Sequence, residues 1–436
     1  MAPTDEEIPA GRSTPSHVSP NTRFVDPFLS IRLGTPLFDL TNEIAGRPVR
    51  HRGDGARNPR RDAASRVRTV VENIIANLAL LVQSPGFTPG DVLAIPTAKT
   101  KPTRYDPRDV GRHLRAQILD ELAASGELIK RPYVFKQRVT TAEPSERLLK
   151  RLRAIQLEDL DRRPDAETIW LSARTAESGL HGQPVPKELL DYRDNSDSRK
   201  FRREMARINA FLNTTEITLR GRSQGPVALR RNFLLRHRTD ALSFTLNGRL
   251  AGGFWLALPA RDRGAIRLAG EPLADLDFKG MFVQLAYRSL DYELREDFDP
   301  YAIPGLEDHR EGAKLAMLSL LGRSKRMRAL SPELRQALPE GWNVARLMAA
   351  VTELHYDIQA LFGKDRAVEL MFLESEILIA VLLRLIEENI PALPMHDGIM
   401  VPQSMKADAR RAMREVSAKW LGGEPLPVTE KPVKPL

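Results

Sequence analysis

Apolar residues recur at helical spacing between Arg66 and Val82, where Val67, Val70, Val71, Ile74, Ile75, Leu78, Leu81 and Val82 mark one face. A loop signalled by Pro85, Pro89 and Gly90 follows, and a second helix is predicted from about Asp106 to Ser125, stopped by Gly126. From Glu127 to Thr140 apolar and basic residues alternate, as in a short hairpin. In the second half, helical periods return over His309 to Arg323 and Leu370 to Glu387. Short apolar strands are predicted at Ala265 to Leu268, ending at Asp277, and on both sides of His396-Asp397-Gly398 within Ile390 to Pro402. Phe278 to Leu290 reads as a turn leading into a helix. Residues 1 to about 60, rich in Pro, Arg, Gly, Ser and Asp, predict a disordered basic leader. The fold class is α+β, with a mostly helical N-terminal region.

A length of 436 residues exceeds one ordinary core, at roughly 150 residues per domain. The pattern divides it into the leader (1–60), a helical nucleic-acid-binding region (61–145), a basic helical region (146–240) and a C-terminal domain (241–436). Helix, glycine turn and basic hairpin within 61–145 resemble a winged-helix module. With 66 Lys+Arg against 57 Asp+Glu, the net charge of +9 favours a polyanionic partner, nucleic acid first. No apolar run, including Ile74 to Val82, approaches the roughly 20 residues a membrane span needs. Asp5, Glu6 and Glu7 followed by prolines do not read as a signal peptide, so a cytoplasmic protein is expected. The absence of cysteine excludes disulfides, thiolate metal sites and thiol nucleophiles. Between Arg199 and Arg238 eleven basic residues, among them Arg230, Arg231 and Arg236, face only Glu204 and Glu216. So one-signed a cluster repels itself unless a polyanion neutralises it, which predicts a surface for a nucleic-acid backbone.

Three C-terminal segments carry candidate chemistry. In Leu273 to Leu290, Asp277 stands at a strand end. In His309 to Arg323, Arg310 and Lys314 lie four apart and project from one helical face, a clamp for a triphosphate in which Arg offers a planar fork and Lys a compact charge. In Ile390 to Pro402, His396 and Asp397 sit inside an apolar hairpin, where a carboxylate is costly unless a metal or donor engages it. Glu374 and Glu376 read as part of a solvated helix face.

Strand-end Asp, helix with Arg and Lys, and hairpin with His-Asp, in that order, resemble the A, B and C motifs of the family A DNA polymerases. Upstream, Thr245 to Arg249 (TLNGR), Leu258-Pro259, Arg263 and the strand to Leu268 are similar to the family's segment leading into the A motif. The resemblance covers Thr245 to Pro402. It implies a right-hand palm with short fingers, in which Asp277 and Asp397 are the catalytic carboxylates and hold two Mg2+ ions, with Mn2+ as a substitute. It further implies that Arg310, Lys314, Phe282 and His396 meet the nucleoside triphosphate. Arg249, with Arg230, Arg231 and Arg236, would meet the DNA primer–template, and residues 146–240 would serve as a thumb.

The sequence departs from the family in three places. Phe282 replaces the A-motif glutamate that blocks a ribose 2′-hydroxyl, and would exclude ribose by bulk alone. Gly398 replaces the last carboxylate of His-Asp-Glu, and Leu321-Gly322 replaces the fingers Tyr-Gly. The spacings, 33 residues from Asp277 to Arg310 and 83 from Lys314 to Asp397, leave little room for insertions. No cluster of acidic motifs before residue 245 suggests a proofreading exonuclease. The expected activity is template-directed nucleotide addition to a primer 3′-end. The alternatives are a non-catalytic DNA-binding replication or regulatory protein with a degenerate polymerase domain, and a polymerase that makes or copies RNA.

Overall fold

A computed structural model describes residues 22–46, 63–84, 86–97, 102–107, 112–134, 139–176 and 185–433. The fold is mixed α and β with several small sheets, in two compact units: residues up to 167 together with 221–228, and 168–220 together with 229–436. Among the described residues no helix is long and apolar enough to cross a membrane.

The N-terminal unit is built on strands β1 (Thr22–Phe24) and β2 (Leu29–Ile31), helices α1 (Pro36–Ala45) and α2 (Ala63–Val82), and strand β3 (Val92–Ala94). Then come α3 (Arg112–Ala124), β4 (Leu128–Arg131), β5 (Thr141–Pro144), α4 (Glu146–Arg153) and β6 (Leu160–Arg162). The apolar face of α2 forms its core, with Val70, Ile74, Ile75 and Leu78 buried. On the same helix Asn73 and Asn77, four apart, both donate to the Asp26 carbonyl at 2.9 Å, which ties the β1–β2 turn to α2. Both amide nitrogens and the Asn77 oxygen are hydrogen-bonded, while Asn73 Oδ1 is buried without a partner. Two expectations change here. Residues 22–46 are folded, not a disordered leader; the rest of 1–60 lies outside the described residues. The expected hairpin has its second strand at Thr141–Pro144, past Thr140, and joins a four-stranded sheet in the order β1, β3, β5, β4.

The C-terminal unit begins with β7 (Ile169–Arg174), β8 (Lys187–Leu189), α5 (Ser196–Thr214), β9 (Ile217–Leu219), β10 (Arg230–Leu235) and β11 (Asn247–Ala251). It continues through α6 (Phe254–Ala257), β12 (Ile266–Leu268), β13 (Leu273–Phe278), α7 (Met281–Arg288) and α8 (Arg310–Gly322). Helices α9 (Pro332–Ala337), α10 (Val344–Leu354) and α11 (Ala367–Glu387) precede β14 (Leu393–Pro394), β15 (Gly398–Pro402), α12 (Lys406–Leu421) and β16 (Val428–Lys431). The region expected as basic and helical, 146–240, therefore holds six strands, counting the two-residue strand Arg222–Ser223, beside helices α4 and α5, and the boundary between units falls inside it.

Two sheets organise this unit. The first runs β11, β10, β7, β8, with β7 and β10 parallel and the outer pairs antiparallel. Its core is aromatic: Phe233 stacks on Phe201 at 5.0 Å and meets Phe244 edge-on at 5.2 Å. Such pairs add to burial because the positive edge of one ring meets the negative face of another. The second sheet is wholly antiparallel, in the order β14, β15, β13, β16. All six residues of β13 and all five of β15 are buried, so the sheet is covered on both faces and the carboxylates on it lie among apolar neighbours. Trp255 is fully buried and donates its indole N–H to the Pro394 carbonyl at 2.9 Å, fixing the β14–β15 hairpin from below.

Candidate functional site

The register of the second sheet decides where the chemistry falls. Asp277, one residue from the end of β13, pairs with Gly398 at the start of β15, and the Phe278 N–H donates to the Asp397 carbonyl at 3.0 Å. Two acids 120 positions apart in sequence thus arrive side by side at one sheet end. Their carboxyl groups lie within electrostatic reach of each other. Burial, and next the negative charge of Asp397, push the Asp277 carboxyl up to about 7, against the opposing pull of Lys431. A carboxyl group held beside another negative charge at a partly dry site resists ionisation. Among the described residues no third His, Asp or Glu joins them as a set able to hold a metal.

Gly398 has a steric reason to be glycine. A Cβ there would lie 2.3 Å from the Leu276 carbonyl oxygen and 3.0 Å from an Asp277 carboxylate oxygen. The strands approach too closely for any side chain, so a Glu at this position is incompatible with the Asp277 register.

Tyr301 and the Asp299–Arg310 ion pair follow the turn after β13. Gly280, with φ of +59°, turns β13 into α7, and a Cβ on it would meet the Pro300 ring at 2.6 Å. The segment 299–301 consequently lies directly against this turn. Asp299 accepts from the Tyr301 N–H at 3.0 Å and pairs with Arg310, whose guanidinium sits 5.3 Å from the centre of the Tyr301 ring. Burial first, and then the charges of Asp397, Asp277 and Asp299, raise the Tyr301 hydroxyl to about 12, so it stays protonated beside the carboxylates. Behind it, the fully buried His355 contacts the Tyr287 hydroxyl at 3.1 Å through Nδ1 and the Pro300 carbonyl at 2.9 Å through Nε2. A carbonyl only accepts, so Nε2 carries the proton and Nδ1 accepts from Tyr287. Lys314, one turn along from Arg310, pairs with the exposed Glu311 at 2.7 Å.

The structure distributes the remaining expected site residues differently. Phe282 is buried in the first turn of α7, so its ring offers no open stacking face. His396 is exposed at the hairpin tip. Arg249 grips Glu374 with two hydrogen bonds of 2.9 and 3.0 Å. Burial pushes Glu374 up to about 7 although Arg249 opposes the shift, and the charge of Asp397 adds to it, placing this pair within electrostatic reach of the site. Glu374 and Glu376 are thus buried, not a solvated face.

The arginine cluster is corrected most. Arg231 is fully buried: it donates to the Gly248 carbonyl at 3.0 Å, to Ser375 at 2.9 Å and to Glu376 at 2.8 Å, with its guanidinium over the rings of Phe201 and Phe233. A surface role for it is excluded. Arg236 is held by Asp365 and Glu369, and Arg230 lies over the Trp170 ring at 4.3 Å. Arg202, Arg207 and Arg238 pair with Asp194, Glu387 and Glu188. The positive charge is largely met by the protein's own carboxylates, so no polyanion is required to stabilise it.

Sequence reasoning missed Lys431. Strand β16 pairs with β13 on the side away from β15, opposing Asp277 with Thr429 and Asp275 with Lys431. The Lys431 ammonium sits 2.9 Å from Asp277 Oδ1. Asp275 shares the Asp277 face of β13, two residues back, and was also missed. The only signal for β16 was a four-residue alternation, VTEK, between prolines 427 and 432.

Neither a protein-family model nor a curated protein matches this sequence.

Proposed function

We propose that this chain is a template-directed nucleotidyl transferase, a DNA polymerase similar to family A, whose C-terminal unit serves as palm and short fingers. The observation that carries the reading is the meeting of Asp277 and Asp397 on adjacent antiparallel strands. The donor chemistry fits a hard divalent cation: carboxylate oxygens suit Mg2+ or Mn2+, and two neighbouring carboxylates call for positive charge. Lys431, already resting on Asp277, is a stand-in for it. Divalent ions bound there would activate the primer 3′-hydroxyl and stabilise the leaving pyrophosphate.

The chain's own residues supply the rest. Arg310, held in place by Asp299 and Tyr301, presents a guanidinium fork to the triphosphate, and Lys314 adds a mobile point charge on the same helical face. The primer 3′-oxygen forms a bond to the α-phosphorus while the bond to the bridging oxygen breaks. Pyrophosphate departs with that electron pair and the hydroxyl proton passes to solvent. Tyr301, protonated and within reach of both aspartates, takes the flank of the nucleotide that the buried Phe282 cannot. The net charge of +9 favours a polyanionic template.

Primer extension on a defined primer–template tests the reading, with Mg2+ or Mn2+, dNTPs and NTPs offered separately, and Asp277→Ala as control. Extension by the wild type alone supports it, and the preferred nucleotide fixes the sugar. If neither protein extends a primer while both bind DNA, the chain is a binding protein and the polymerase reading is lost.

A further inference from the structure

The two strands flanking β13 bring opposite charges to one place. From the turn just before β15 comes the Asp397 carboxylate, and from β16 the Lys431 ammonium, which meets Asp277 Oδ1 at 2.9 Å and also feels Asp397 and Asp275. The tethered ammonium thus stands among three carboxylates, with Arg263 a second positive charge toward Asp275. The tether is short: β16 is an edge strand of four residues, its backbone paired to β13 from Val428 to Lys431. Its outer face is pinned as well, since Glu430 is held by Lys406 and Arg410 of α12. The strand is fixed, yet the Lys431 side chain is 53 % exposed, so its flexible stem can carry the ammonium out to water without opening the core.

We propose that Lys431 is the resident counter-ion of the Asp277–Asp397 site, occupying one cation position on Asp277 and surrendering it when a divalent ion binds. The inference rests on reading this pair as the metal-binding carboxylates. Its consequence is that metal affinity is set by competition: the protein holds its carboxylates together without metal, and divalent binding must displace the ammonium from Asp277.

The test is binding of Mn2+ alone to the full-length protein, without nucleic acid or nucleotide, read as the loss of the free-ion electron paramagnetic resonance signal. Lys431→Met should tighten Mn2+ binding about tenfold, the scale of one unit charge at contact in a well-solvated site. Lys431→Arg, which keeps the charge, should stay within about threefold of wild type, and adding Asp397→Asn to Lys431→Met should remove the gain. Unchanged or weaker binding by Lys431→Met overturns the inference and leaves the polymerase reading standing if the wild type extends a primer. If none of the proteins binds Mn2+ at millimolar concentration and none extends a primer, both readings fall together.

Discussion

Arg231 and Lys431 each meet carboxylates in the C-terminal unit, but one is sealed and the other stands half in water. Arg231 has Glu376, Ser375 and the Gly248 carbonyl on its donors and two aromatic rings against its face. Glu204 and the half-exposed Lys200 complete the cluster, two cations to two carboxylates, so charge there is matched. At the Asp277 end of β13, negative charge exceeds positive, the single ammonium is on a flexible stem, and the carboxyl of Asp277 is driven up to about 7 chiefly by burial and Asp397. The first arrangement joins β10 to α11 with its charges balanced. The second leaves a deficit of positive charge at an accessible sheet end, which is what a site for a cation and its anionic substrate requires.

The largest effect expected from breaking this contrast is on activity. Asp397→Asn removes one charge from the unmatched cluster while keeping its shape. Incorporation should fall by at least about 10²–10³-fold, the scale of a lost electrostatic contact in a preorganised site. DNA binding should be nearly unchanged by a filter or anisotropy assay. Activity within tenfold of wild type would sink the assignment. Stability should hold or rise, because one of two mutually repelling carboxylates is gone.

The mirror-image experiment is Arg231→Met. Removing the cation leaves Glu376 with only the Lys200 ammonium at 3.7 Å, and breaking a buried pair from one side costs up to about 3–5 kcal/mol. The urea midpoint should drop accordingly, and the double variant Arg231→Met, Glu376→Leu should recover much of the loss. A cost below about 1 kcal/mol would mean the pair is hydrated and the contrast with Lys431 false.

The contrast also explains what the sequence made legible. Asp277 and Asp397 were readable because each stands at the edge of a short apolar run with local turn signals. Sheet register then only had to bring two strand ends together. The Arg199–Arg238 cluster was misread because its counter-charges come from elsewhere: Glu376 is 145 positions from Arg231 and Asp365 is 129 from Arg236. A local window sees one sign and infers repulsion. Gly398 looked like a lost carboxylate, whereas the reason for glycine lies in the Leu276 carbonyl across the sheet. Lys431 was invisible because an exposed four-residue edge strand among prolines has almost no apolar pattern; its pairing with β13 is supplied by tertiary structure.

Between the two clusters stands Arg249–Glu374, sealed like the first but close enough to feel Asp397. Burial, the largest cause, raises the Glu374 carboxyl from its ordinary 4.5 to about 7. The folded protein therefore holds a proton there that the unfolded chain gives up above about 4.5. Stability from this group is full below that pH and is lost as pH rises through 7, a change on the order of 3 kcal/mol. Glu374→Gln cannot titrate, so its urea midpoint should fall less than that of the wild type between pH 5 and 7.5. Parallel pH profiles for the two proteins would show that Glu374 is ionised throughout and belongs with the matched cluster.

The smallest effect is expected at Lys314. Its partner Glu311 is 83 % exposed, three residues away on the same helix, and a pair of that kind contributes between about 0 and 1 kcal/mol. Lys314→Ala should leave the unfolding midpoint almost unmoved, in contrast to Arg231→Met. Arg310 differs from its neighbour because it also holds Asp299 and lies over Tyr301, so replacing it would disturb the wall of the site as well as any phosphate contact. Lys314 is thus the cleaner probe of whether α8 meets a triphosphate. Loss of one solvent-exposed charge contact should raise the KM for nucleotide by roughly three- to tenfold, with kcat little altered if the contact is equal in ground and transition states. A fall in kcat at unchanged KM would instead place the ammonium on charge that develops during bond breaking. Unchanged kinetics would remove Lys314 from the site, leaving Arg310 as the candidate phosphate contact on α8.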